Sequence, residues 1–190
     1  SRRFTEKINA QSLRLSAVVT DLMTISRLES DETAKPLQVL NLKKIVESSF
    51  ADITTACQDK NIKLSSQLCE ARVQIEADEQ AISQLVDNLL DNAVKYTLEN
   101  GSISILMHVN LDQTKVVLEV RDNGIGISTQ HQKRIFERFY RVDKARSRDL
   151  GGTGLGLSIV KNIAEQHGGS VSIQSRLGEG TCLTVILPIL

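Results

Sequence analysis

The chain has 190 residues, 41% of them hydrophobic, with 23 Lys plus Arg against 23 Asp plus Glu. That length suits one ordinary domain with an appendage, and that apolar share is enough for a core, with no compositional sign of disorder. A formal charge of zero lacks the basic footprint of a nucleic-acid binder. Cys57, Cys69 and Cys182 are odd in number without CxxC spacing, and His108, His131 and His167 lack ligand spacing. A zinc site is therefore not expected, and a reducing cytosolic compartment is. No apolar run is long enough to span a bilayer and no signal peptide is visible. Ser1 opens directly into a helical pattern, so the expectation is a fragment whose parent carries further segments.

In chain order, Phe4, Ile8, Leu15, Val18, Leu22 and Ile25 follow steps of three and four, with Gln11 the polar member. This heptad spacing predicts a long helix whose seam needs another helix, from this chain or another. About 28 residues of helix run roughly 40 Å. The polar run from Asp31 to Pro36 predicts a linker, dividing the chain into residues 1–36 and 37–190. Residues 37–40 are expected as a short strand. Asn41 is then expected to cap a helix with Leu42, Ile45, Val46, Phe50 and Ile53 on one face. Residues 62–64 and 73–75 alternate as strands, and Asp78 is the expected cap of a helix over 79–97. Residues 102–109 and 115–121 read as the two strands of a hairpin. A helix over 155–166 stops at Gly168-Gly169, and strands at 171–174 and 182–187 close the chain. Strands and helices mix without regular βαβ alternation, which predicts an α+β two-layer sandwich.

Chemistry concentrates in three stretches. On the 79–97 helix, Asn88, Asn92 and Tyr96 are spaced i, i+4, i+8, with Lys95 beside them, beyond a buried face of Ile82, Val86, Leu89, Leu90 and Ala93. Amide oxygens are hard neutral ligands suited to Mg²⁺, and a lysine holds phosphate as a point charge. A merely solvated polar face is the alternative. In the second stretch, Val116, Leu118, Val120 and Asp122 alternate, so Asp122 shares the inward face with three aliphatics. A carboxylate there needs a donor such as an adenine amino group, and Gly124 and Gly126 let backbone approach a flat base. A plain Asp-Asn-Gly turn is the alternative.

The third stretch, Gly152-Thr153-Gly154-Leu155-Gly156-Leu157, opens a helix whose first N–H groups can bind an anion; packing glycines are the alternative. Its G-x-G-x-G spacing and the lack of a close preceding strand exclude a dinucleotide fold. No Gly-Lys-Ser/Thr, His-Arg-Asp or Asp-Phe-Gly occurs, which excludes a P-loop and an ordinary protein kinase. Phe136, Phe139 and Tyr140 are expected to anchor a mobile cover over 142–151, with Arg141 placed to reach a terminal phosphate.

Four stretches in this order resemble the boxes of the ATP-binding catalytic domain of two-component sensor histidine kinases, which has the Bergerat ATP-binding fold. Residues 88–96 (Asn-Leu-Leu-Asp-Asn-Ala-Val-Lys-Tyr) are similar to the N box and 122–126 (Asp-Asn-Gly-Ile-Gly) to the G1 box. Residues 136–141 (Phe-Glu-Arg-Phe-Tyr-Arg) are similar to the F box and 152–157 to the G2 box. The resemblance covers about residues 37–190 and implies a mixed sheet with helices on one face. It implies ATP and Mg²⁺ as cofactors, with Asn92 on the metal and Asp122 on the adenine amino group. Lys95 and Arg141 would contact phosphates and Tyr96 would line the nucleotide. Asn88, Gly124, Gly126 and the residues of the last glycine cluster complete the implied site.

The first helix resembles the second helix of the family's dimerisation and phosphoacceptor domain. No histidine here has the acidic residue and proline that follow the family's phosphoacceptor, so that residue is expected on a helix outside this chain. Implied partners are that helix, from the same protein or its dimer mate, and a response regulator. The parent is expected to be a homodimer, with this part cytoplasmic and any membrane anchor elsewhere. Hydrolytic relatives of the fold, the chaperone, gyrase and mismatch-repair type, carry a glutamate one turn before the metal asparagine. Here that position is Asn88, which cannot act as a general base.

Overall fold

The computed structural model describes residues 2–29, 36–70, 72–143 and 152–190. The side chains of Phe4 and Ile8, residues 30–35 of the expected linker and residues 144–151 of the expected cover lie outside that description. In order, the elements are α1 (Arg2–Glu29), β1 (Gln38–Asn41), α2 (Leu42–Asp59), β2 (Lys63–Leu68), β3 (Gln74–Ala77) and α3 (Glu79–Tyr96). There follow β4 (Ser102–Val109), β5 (Lys115–Asp122), α4 (Thr129–Gln132), α5 (Gly156–Gln166), β6 (Ser170–Arg176) and β7 (Gly180–Pro188). Among the described residues, no helix is long and apolar enough to cross a membrane.

Five strands form one mixed sheet in the order β2-β4-β5-β7-β6, with β2 parallel to β4 and every other pair antiparallel. β1 and β3 form a separate antiparallel pair. Alternation puts Ile103, Ile105 and Met107 of β4, Val116, Leu118 and Val120 of β5, and Leu183, Val185 and Leu187 of β7 on one buried face. Helices α2, α3 and α5 supply the second layer through fully buried Leu42, Ile82, Leu85, Leu89, Ile159 and Ile163. Each such side chain contributes roughly 1.5–3 kcal/mol when withdrawn from water. This is the expected two-layer α+β sandwich.

Helix α3 is held at both ends. Asp78 Oδ1 accepts from the backbone N–H of Gln80 (2.9 Å) and Ala81 (3.4 Å), as expected of an N-cap. His167 reinforces this end: its Nε2 accepts from Asp78 N–H (3.2 Å), so its Nδ1 carries the proton and donates to Ile163 O (2.8 Å). At the far end Lys60 Nζ donates to Val94 O (2.7 Å), complementing the negative end of the helix dipole. Asn41 does occupy the N-cap position of α2, but its side chain makes no capping bond, and its buried Oδ1 lacks a hydrogen-bond partner. Its backbone (φ −91°, ψ 101°) is in the extended region usual for an N-cap, so it is the side chain and not the backbone that departs from capping.

The C-terminal turns of α1 pack on this body. Thr24 and Ile25 are buried, Thr24 Oγ1 donates to Gln84 Oε1 (3.1 Å), and Arg27 Nη1 donates to Gln80 Oε1 (2.7 Å). Earlier in the helix Leu15 (69%), Val19 (49%), Leu22 (44%) and Met23 (69%) stay exposed. Of the described seam side chains, Ile25 is buried, Val18 half-buried, and Leu15 and Leu22 exposed.

Candidate active site

One pocket of about 410 Å³ opens between α3, the end of β5, the start of α5 and α1. All the expected site residues line it except Gly124 and Leu155. Leu155 is instead fully buried in the core, and Gly124 lies behind Asp122 against the Tyr96 carbonyl.

The α3 stripe forms one wall. Asn92 Nδ2 donates to Asn88 O (2.8 Å), which fixes the orientation of the amide. A Cβ on Gly156 would sit 2.8 Å from Asn88 Oδ1 and 3.8 Å from Asn92 Nδ2, so the last glycine of the second cluster closes directly on both amides. Lys95 is held by Asp91, four residues earlier, at 3.7 Å. That pair is exposed enough to part for an anionic ligand.

The opposite end is built on Asp122. Its backbone pairs in register with Thr181, and its Oδ1 accepts from Gly124 N–H (2.8 Å). Burial pushes the Asp122 carboxyl up from its ordinary 3.8, against the lowering effect of backbone hydrogen bonds from Gly124 and Thr181. Ile125 N–H donates to Tyr96 O (3.2 Å), so the first glycine loop hangs from the last turn of α3. Val120, Ile125, Ile135, Ile173 and Leu183 give this end an apolar lining. A flat apolar ring with one donating edge fits such a slot.

Between the ends, residues 133–139 form turns after α4. Phe136 packs against the core, and Tyr140 Oη lies 2.6 Å from His131 Nδ1 with the Arg134 guanidinium 4.2 Å above its ring. These two side chains do anchor the segment. Phe139 does not: it is 60% exposed, with a left-handed φ of 62°. Its backbone contributes instead, because Phe139 N–H donates to Gly154 O (2.8 Å) and ties this turn to the second glycine cluster. Arg141 and Val142 follow it into the pocket lining. Thr153 Oγ1 accepts from Leu155 N–H (3.2 Å) and donates to Asp21 Oδ2 (2.7 Å).

Among the pocket residues that escape the sequence reading are Asp91, Thr181 and Asp21. Asp91 had a legible signal, the i, i+4 acid–base spacing with Lys95. Thr181 had none, because only strand register sets it beside Asp122. Asp21 had none either, since 132 residues separate it from Thr153.

Comparison with known proteins agrees with this geometry. The family described as histidine kinase-, DNA gyrase B-, and HSP90-like ATPase matches residues 77–190. The chain is 38% identical over 182 residues to the sensor histidine kinase RppB of Synechocystis sp., covering 96% of this chain and 40% of that protein. It is 33% identical over 189 residues to the sensor histidine kinase WalK of Bacillus subtilis, covering 98% of this chain and 30% of that one. The chain thus spans less than half the length of these relatives. The solved structure of full-length ShkA in complex with AMPPNP superposes with a TM-score of 0.82 at 26% identity, over 99% of this chain and 38% of that one. The sheet, the α3 amides, the two glycine loops and the matched residues together make this chain a member of the histidine kinase-, DNA gyrase B- and HSP90-like ATPase family.

Proposed function

We propose that this chain is the catalytic part of a sensor histidine kinase, binding MgATP and donating its γ-phosphate to a histidine on a separate helix. The observation that carries the reading is one pocket with Asp122 in an apolar slot at one end and Asn88, Asn92 and the Gly156 turn at the other. The donor set fits the metal: two amide oxygens supply few, hard, neutral ligands, and Mg²⁺ keeps most of its waters. When bound, it supplies charge neutralisation on the phosphate oxygens. Asn92 Oδ1 would hold it, with Asn88 beside it. Asp122 would accept from the adenine amino group and orient the base. Tyr96 would line the nucleotide. Lys95 would leave Asp91 for a phosphate oxygen, and Arg141 would meet the terminal phosphate. Backbone N–H groups from Gly152 to Leu157, at the start of α5, would hold the phosphate chain. Transfer then depends on positioning and charge compensation rather than on covalent help from the protein.

The phosphoacceptor lies outside this chain in our reading. His167 is committed at both ring nitrogens, His131 pairs with Tyr140, and none of the described histidines lines the pocket. Residues 1–36 would form the second helix of a dimerisation domain plus linker. The exposed stripe of Leu15, Val19, Leu22 and Met23 supports a helical partner there. The parent would be a membrane-anchored homodimer, with this part on the cytoplasmic side, relaying phosphate to a response regulator.

Titration of a fluorescent ATP analogue in Mg²⁺ tests the site. Asn92→Ala should bind at least about tenfold more weakly than wild type, the loss expected for one charge-assisted contact. Equal affinities would overturn the assignment. Adding the phosphoacceptor helix should give histidine phosphorylation in trans. Labelling of His108, His131 or His167 by this chain alone would contradict the reading.

A further inference from the structure

One wall of the pocket lies outside the matched residues 77–190: Ala17 and Asp21 of α1 line it as well. Residues 17, 21, 24 and 25 share one helical face. Thr24 and Ile25 are buried where α1 docks, so docking turns Asp21 inward. There Asp21 Oδ2 accepts from Thr153 Oγ1 at 2.7 Å. Thr153 belongs to the glycine cluster that we assign to the phosphates, so a carboxylate holds a hydroxyl of the phosphate-binding loop. Lys95 and Asp91 are within electrostatic reach of Asp21, and Asp91 already pairs with Lys95 at 3.7 Å. Burial pushes the Asp21 carboxyl up, while the Thr153 hydrogen bond and then Lys95 oppose that shift and Asp91 adds to it.

We propose that Asp21 is a specificity-determining residue of the nucleotide site, its carboxylate opposing bare polyphosphate and so favouring nucleotide whose charge Mg²⁺ has reduced. The inference rests on the nucleotide reading above. A carboxylate facing a polyanion across a partly desolvated pocket raises the free energy of the bound state in proportion to the ligand's charge. Metal-free ATP therefore loses more than MgATP, and adenosine loses nothing. By linkage, triphosphate binding and undocking of α1 favour each other, because undocking takes Asp21 away from the bound phosphates.

Calorimetric titration of the full chain with adenosine, MgATP and ATP in EDTA separates the terms. In Asp21→Asn, which keeps an acceptor and loses the charge, metal-free ATP should bind about tenfold tighter. MgATP should tighten less, and adenosine should be unchanged. Asp21→Ala should match Asp21→Asn, since charge is the cause. Unchanged or weaker binding of metal-free ATP in Asp21→Asn, with adenosine binding intact, would overturn this inference alone. Tightening in Asp21→Ala but not in Asp21→Asn would also overturn it, because the hydrogen bond would then be responsible. Failure of wild type to bind adenosine or MgATP would overturn the nucleotide reading and this inference with it.

Discussion

Substituting alanine at Gly124 isolates what the first glycine loop is built to do. The new Cβ would lie 2.2 Å from the Tyr96 carbonyl oxygen and 2.8 Å from Asp122 Oδ1, where ordinary contact begins at 3.4 Å. The Tyr96 oxygen belongs to backbone at the end of α3 and cannot rotate away, so the loop must retreat. That retreat breaks the Ile125 N–H to Tyr96 O bond (3.2 Å), worth about 1 kcal/mol. Overpacking the site adds about 1–3 kcal/mol. The sum, about 2–4 kcal/mol, lowers the melting midpoint by about 4–16 °C at 2–4 °C per kcal/mol for a chain of this size. Gly178→Ala is the matched control. Gly178 has a φ of +83° with nothing within 4 Å of a Cβ, so strain alone acts. That strain costs about 1 kcal/mol. Thermal and urea unfolding followed by circular dichroism measure both variants. Gly124→Ala should also lose nucleotide affinity, because the displaced contact includes Asp122. The reasoning is refuted if Gly124→Ala melts no lower than Gly178→Ala and binds nucleotide as wild type does.

Further outcomes follow from Asp122 in the pocket and Lys60 at the end of α3. Asp122→Asn should raise the melting midpoint of the nucleotide-free protein at neutral pH while weakening nucleotide binding about 10–100-fold, the range for a hydrogen bond to a charged group. Burial raises the folded-state pKa of Asp122 above the ordinary 3.8. Its contribution to stability is therefore complete below 3.8 and lost as pH rises through the folded value. The advantage of Asp122→Asn must accordingly shrink as pH falls toward 4, about the unperturbed carboxylate value. A midpoint below wild type at pH 7, or an advantage that grows with acid, would contradict this. Lys60→Met keeps the aliphatic stem and removes the cation from Val94 O at the end of α3. It should cost about 1–2 kcal/mol in urea unfolding, and no loss would mean that water replaces the cap at no cost.

Much of this protein is legible residue by residue. The alternation of Val116, Leu118 and Val120 put Asp122 on the buried side, and the i, i+4 stripe of α3 put Asn88 and Asn92 together. Asp78 caps α3 as its side chain and position require. These features depend on neighbours a few residues away, where sterics and hydrogen-bonding reach are short. Tertiary structure decided the rest. The parallel pairing of β2 with β4, the separate β1–β3 pair and the failure of Asn41 to cap α2 have no local signature. Phe139 turns outward because its backbone is bound to Gly154, a partner fifteen residues on. Thr181 reaches Asp122 through strand register, and Asp21 reaches Thr153 because α1 docks by Thr24 and Ile25. Such contacts join segments whose separation along the chain leaves no periodicity to read, and only the packing of the two layers brings them within bonding distance.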